Sequence, residues 1–297
     1  MFNDELFLKP PYNRLKEFVL PQADRFIQLL SVLDECSLPH EILEIDGKRH
    51  IALPGIKTQS VFSGHAAGLI FTAHYDRSPQ SPGANDNGAA IFQLIDTASR
   101  MYTARQTGGT AKTGNAALFI FTDGEELSRG ESLRRQGSYS LGLFLQKNGL
   151  GKSSVFSFDA CGTGDTLIIS TAADLLLKNE IGEGADTARR KAQLLRRTAL
   201  EAARKARLEK VQLLPTPFSE DAGFLLSGIT AQTITVLPQR EAALVRGDNA
   251  ALFSNADRRL IPETWRILNG PGDSPLRLTP EHWKYIPAFA EALAASG

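Results

Sequence analysis

Apolar positions along the chain switch between two spacings. Over residues 12–38, Leu15, Phe18, Val19, Phe26, Leu29, Leu30 and Leu33 recur at three- and four-residue steps, which predicts helix with a break at Pro21. Two short segments follow, 41–45 and 49–53. Asp46-Gly47 between them marks a tight turn, so they read as paired strands. Unbroken apolar runs at 68–73, 116–122 and 153–158 are short and rich in Ile, Val and Phe, as strands buried on both faces are. Further strands are expected at 166–170, 230–237 and 264–268. Helical spacing returns at 88–101, 132–146, 185–208 and 280–295, and 108–114 reads as a loop. Strands alternating with helices predict an α/β fold of three layers, a mixed, mainly parallel sheet with helices on both faces.

Composition narrows the picture without changing it. The 297 residues carry neither an internal repeat nor a low-complexity tract, and they read as a single α/β domain over 1–297. Residues 1–64 supply its N-terminal helix and strands, and 183–210 form a basic helical insertion. Lys plus Arg (33) balances Asp plus Glu (33), which argues against a nucleic-acid partner held by bulk charge. The cluster Arg189, Arg190, Lys191, Arg196, Arg197, Arg204, Lys205, Arg207 and Lys210 therefore reads as the solvated face of an amphipathic helix. Its apolar side uses Leu194, Leu195, Leu200, Ala203 and Leu208. The first residues lack the pattern of a secretory leader, and no apolar run approaches the ~20 residues that span a bilayer. The expected location is the cytoplasm, with no membrane contact.

Two cysteines, Cys36 and Cys161, exclude a disulfide framework or an all-cysteine zinc site. Any metal must then be held by carboxylates and by some of five histidines: His40, His50, His65, His74 and His282. The candidates gather just past the apolar strands, where open α/β sheets place their ligands. One strand runs into His74-Tyr75-Asp76, the next into Asp123-Gly-Glu125-Glu126, and a third into Asp159. Between the first two lies Pro82-Gly-Ala-Asn-Asp86-Asn-Gly88, a turn that opens a helix. Taken singly these are a polar strand end, a solvated Glu pair and a turn. Together they form a ligand set of imidazole and carboxylate that suits zinc. Continued strand geometry would put Asp76 on the same side as His74, where it can hold the other imidazole nitrogen.

In this order the motifs resemble the co-catalytic zinc aminopeptidases of clan MH, a family that includes glutamate carboxypeptidase, glutaminyl cyclase and the non-catalytic transferrin receptor. The matching stretches are His74-Tyr-Asp76, Pro82-Gly-Ala-Asn-Asp86-Asn-Gly-Ala-Ala90, Asp123-Gly-Glu-Glu126, Asp159-Ala-Cys-Gly162 and Phe224-Leu-Leu-Ser-Gly228-Ile-Thr-Ala231, within about residues 65–295. The resemblance implies the zinc aminopeptidase (phosphorylase-like) fold. It implies that His74 and Asp159 bind one zinc, Asp86 bridges, Glu126 binds a second zinc, Glu125 is the general base and Asp76 orients His74. One departure stands out. Where the family has a His in His-Thr-Pro-x-Asp-Thr, this chain has Asn269-Gly-Pro-Gly-Asp273-Ser. An amide oxygen ligates zinc less well than imidazole. One tightly bound zinc, on His74, Asp86 and Asp159, is therefore expected, with a second site weak or empty. The implied activity is hydrolysis of peptide-like amide bonds, as an aminopeptidase on a peptide or amino-acyl substrate. A non-catalytic binding protein on the same scaffold, or a one-zinc acyltransferase like glutaminyl cyclase, are the alternatives.

Overall fold

The computed structural model describes residues 5–54, 68–107, 117–128, 130–245 and 261–296. The loop expected at 108–114 lies outside them. Among the described residues eight strands form one sheet: β1 (Glu41–Ile45), β2 (Lys48–Leu53), β3 (Leu69–His74), β4 (Ala117–Thr122), β5 (Ser154–Phe158), β6 (Thr166–Ser170), β7 (Val211–Leu214) and β8 (Ala231–Leu237), in the order β1-β2-β4-β3-β5-β8-β6-β7. The pairs β3–β4, β3–β5, β5–β8 and β6–β7 are parallel. The pairs β1–β2, β2–β4 and β6–β8 are antiparallel. The sheet is thus mixed, with a parallel centre.

Burial follows position in the sheet. β3, β4 and β8 are buried at every residue, which is why their sequences are unbroken apolar runs, while edge strand β1 has no fully buried residue. Alternate residues feed two cores. Phe71, Phe119, Phe121, Phe156 and Phe158 pack on one face with the helices α2 (Arg25–Glu35), α3 (Ala90–Gln106) and α10 (Tyr285–Ala294). Ile70, Leu118, Ile120 and Val155 pack on the other with α4 (Gly137–Lys147) and α7 (Glu220–Leu226). Phe71 is the hub of the first face, with edge contacts to Phe119, Phe156 and Phe158 at centroid distances of 5.2, 6.5 and 5.5 Å. Such pairs contribute about 0.5–1.5 kcal/mol each beyond area burial.

The segment 264–268, expected as a strand, is instead the short helix α9 (Glu263–Arg266) and the turn after it. Pro262 precedes it and Glu263 opens its first turn, a helix-start signal that outweighs the short apolar run. The basic segment forms α6 (Glu183–Lys205), which joins β6 to β7 and buries Ala192, Leu195, Ala199, Ala202 and Ala203. Leu194, assigned to the apolar side from sequence, is 55% exposed, because it sits about 100° round the helix from Leu195. Among the described residues no helix is long and apolar enough to cross a membrane.

Candidate metal centre

The register aligns the C-terminal ends of three strands. His74 pairs with Thr122 across β3–β4, and Thr72 pairs with Ser157 across β3–β5, so the residues that follow emerge together. This is a topological switch point, because the chain leaves β3 toward β4 on one side and returns to β5 on the other. The turn before α3 completes the group. Its residues from Ala84 to Ala89 are all buried, and non-helical backbone at Asp86 and Asn87 turns it toward the strand ends.

His74, Asp86 and Asp159 each offer one donor atom, and the three atoms lie within 4.8 Å of one another. His74 Nε2 is 3.1 Å from Asp86 Oδ1 and 3.7 Å from Asp159 Oδ1. Despite that proximity, all three are buried polar atoms that make no hydrogen bond of acceptable geometry. Orphaned buried donors and acceptors are costly. Their convergence on one point, with imidazole and carboxylate chemistry, fits a divalent metal, and zinc in particular. Burial by itself lowers the His74 pKa, but the carboxylates of Asp159, Asp76 and Asp86 outweigh it and hold the pKa well above its ordinary value.

Asp76 lies beside the other imidazole nitrogen. His74 Nδ1 is 3.5 Å from Asp76 Oδ1 and 3.3 Å from the Asp76 carbonyl. The Asp76 carboxylate also accepts the backbone N–H groups of Glu125 (3.1 Å) and Glu126 (2.9 Å), so it fixes both sides of the site. Glu125 is held by Gln136, whose Nε2 donates to Glu125 Oε1 at 3.2 Å. Burial, reinforced by Asp159, Glu126 and Asp86, pushes the Glu125 carboxyl well above the usual carboxylate range. Burial and Asp86 likewise raise Glu126 to about 8.

Glu126 is outside the three-residue cluster and faces Asn269. With its amide nitrogen turned toward Glu126, the orientation that satisfies both groups, Asn269 donates to Oε2 at 2.8 Å and to Oε1. Asn269 adopts left-handed backbone, φ 63°, which Asn tolerates better than most residues.

Four supporting residues carry no local sequence signal for their roles. Asp273 accepts the N–H groups of Asn85 (2.8 Å) and Asp86 (3.0 Å). Arg25, from the start of α2, donates to backbone carbonyls near His74 and Asp86. Gln136 restrains Glu125. Glu220, fully buried, accepts the hydroxyls of Thr72 (3.0 Å) and Thr122, and so ties α7 to the strands that end in His74 and Thr122. Asp273 alone lies in a stretch set against a family motif, Asn269-Gly-Pro-Gly-Asp273-Ser, and that motif does not point to its amide contacts.

The fold and the residue cluster define an α/β protein with a carboxylate-rich candidate metal site at the switch point of its sheet. The profile of peptidase family M28 matches residues 58–231, more than half of the chain, and the protein belongs to that family. Among curated proteins, none matches the sequence significantly. Solved structures of similar fold include a glutaminyl cyclase from Porphyromonas gingivalis (14% identity, TM-score 0.58, 96% of each chain covered). They also include the LapA aminopeptidase of Legionella pneumophila (13%, TM-score 0.60, 95% of this chain and 69% of that one). A Zn-dependent exopeptidase from Parabacteroides distasonis is similar too (13%, TM-score 0.58, 96% and 95%). At these identities the likeness is one of fold.

Proposed function

We propose that the protein is a zinc-dependent hydrolase of peptide-like amide bonds, acting as an aminopeptidase on peptide or amino-acyl substrates with one tightly held ion. The observation that carries this reading is the convergence of three orphaned atoms, His74 Nε2, Asp86 Oδ1 and Asp159 Oδ1, beside the buried carboxylate of Glu125. When bound, zinc supplies Lewis acidity toward a scissile carbonyl and toward water. His74, Asp86 and Asp159 hold it, and Asp76 beside Nδ1 fixes the imidazole tautomer that leaves Nε2 as the ligand.

Glu125 is the general base. Gln136 engages its Oε1, which leaves Oε2 to take a proton from the attacking water and return it to the departing amine. A carboxylate desolvated in this way is a stronger base than an exposed one. Glu126 faces Asn269, and an amide is a poorer zinc ligand than imidazole, which supports one tight ion and not two. The choice of aminopeptidase among amide-cleaving activities rests on membership of family M28.

Metal analysis of purified protein, paired with hydrolysis of aminoacyl amides, tests the reading. One zinc per chain is expected. Glu125→Gln should lower turnover by about 10²–10⁴-fold with zinc content unchanged. A protein that holds no tight zinc and cleaves no amide after addition of zinc, cobalt or manganese would not be this enzyme.

A further inference from the structure

Arg25 is the first residue of α2, at a surface helix end, yet its side chain turns inward and the residue is 5% exposed. Its Nη1 donates to the Tyr75 carbonyl at 3.2 Å and reaches the Asp76 carbonyl at 3.5 Å. Its Nη2 donates to the carbonyls of Pro82 and Gly83, both at 2.7 Å. One planar, rigid group thus spans two separate segments, the chain just after His74 and the turn just before Asp86. Phe18 backs it, with the guanidinium carbon 4.6 Å from the ring centroid. Gly83 gives it room: at φ 60° its backbone is left-handed, and a Cβ there would lie 2.4 Å from Nη2.

We propose that Arg25 is the positioning residue of the metal centre, setting the separation of His74 and Asp86 by clamping the backbone beside each. This rests on the metal reading given above. Asp273 holds the same turn by its amides, and Arg25 holds it by its carbonyls, so the turn is fixed on both sides. Arg77 adds a strap, donating to the carbonyls of Ser81 (3.2 Å), Leu20 (3.1 Å) and Pro21 (2.5 Å), which fixes the turn relative to the start of α2. Docking of α2 has its own apolar basis in Phe26, Leu29, Val32 and Leu33. The fork of Arg25 is therefore not what attaches the helix. It is also a buried cation among Asp76, Asp86 and Asp273, whose charges it partly offsets.

The test compares zinc affinity, by competition with a chromogenic chelator, and urea unfolding in wild type, Arg25→Met, Arg25→Lys and Leu29→Ala. Removing a group that orients ligands weakens metal binding by about 10–100-fold, and Arg25→Met should fall in that range. Arg25→Lys keeps charge without the fork and should be intermediate. Leu29→Ala should lower the urea midpoint and leave zinc affinity unchanged. Wild-type affinity in Arg25→Met, or equal weakening in Arg25→Met and Leu29→Ala, overturns the proposal. If Arg25→Met does not fold, Arg25→Lys decides: weaker zinc at a near-wild-type midpoint supports the role, and unchanged affinity refutes it. Wild-type protein that binds no zinc overturns the metal reading and this proposal with it, whereas zinc binding insensitive to Arg25 overturns this proposal alone.

Discussion

At the scale of single residues, Asn269 faces Glu126, and on the one-ion reading proposed above it stands where a second ion's imidazole would be. With its amide nitrogen turned toward Glu126, Asn269 would satisfy a carboxylate that a cation would otherwise balance. Asn269→His should therefore raise zinc stoichiometry from one to two per chain, read by zinc titration of metal-free protein. The left-handed backbone at 269 accepts His as well as Asn. Unchanged stoichiometry would separate Asn269 from the ligand position. The candidate residues are legible because His74 and Asp159 stand at the ends of apolar strands and Asp86 stands in the turn that opens a helix. His74, Asp86 and Asp159 come together in the folded chain, with one donor atom of each within 4.8 Å of the others, as a group that could hold a metal ion. Arg25, Gln136, Asp273 and Glu220 were not legible as partners. Arg25 acts on carbonyls 50 to 58 residues away, and Asp273 on amides nearly 190 away. Backbone acceptors have no side-chain signature, so only the fold reveals who holds them.

Elements follow the apolar pattern where burial is one-sided or complete, and depart from it where it is partial. The buried runs of β3, β4 and β8 are found within a residue of their expected bounds. β7 is a short edge strand with one buried residue, too weakly patterned to stand out, and α7 is a short helix whose Glu220 and Asp221 are buried against apolar expectation. The helix α6 shows what the pattern does decide. Its inner face is built of small residues, with Ala199 fully buried, while Arg197 on the outside is exposed. Ala199→Leu should overpack that face and cost about 1–3 kcal/mol. Arg197→Glu should change stability by no more than about 0.5 kcal/mol. Urea unfolding of the two variants checks both, and comparable losses would show that the charged face is also packed.

For the molecule as a whole, two buried groups pull its acid stability in opposite directions. Burial, with Lys48 nearby, lowers His50 to about 4, so it folds neutral and accepts the Asp123 N–H at 3.2 Å. Its ordinary value is about 6.5. Between these values the unfolded chain binds a proton that the native chain does not, so the contribution of His50 is lost as pH falls from 6.5 to 4. Glu220 is the reverse. Burial raises it to about 7 from 4.5, the native chain holds the extra proton, and its contribution is lost as pH rises from 4.5 to 7. The windows overlap from 4.5 to 6.5, where the two slopes are equal and opposite. Relative to wild type, Glu220→Gln should gain about 3 kcal/mol across that window as pH rises, and His50→Gln should lose a similar amount. The double variant should track the wild-type profile. Urea midpoints at pH 4.5, 5.5 and 6.5 measure all four proteins. Parallel profiles for wild type and Glu220→Gln would mean that Glu220 titrates alike in the folded and unfolded chains, and that its two threonine hydroxyls, together with Ser157 behind Thr72, solvate the carboxylate as well as water does.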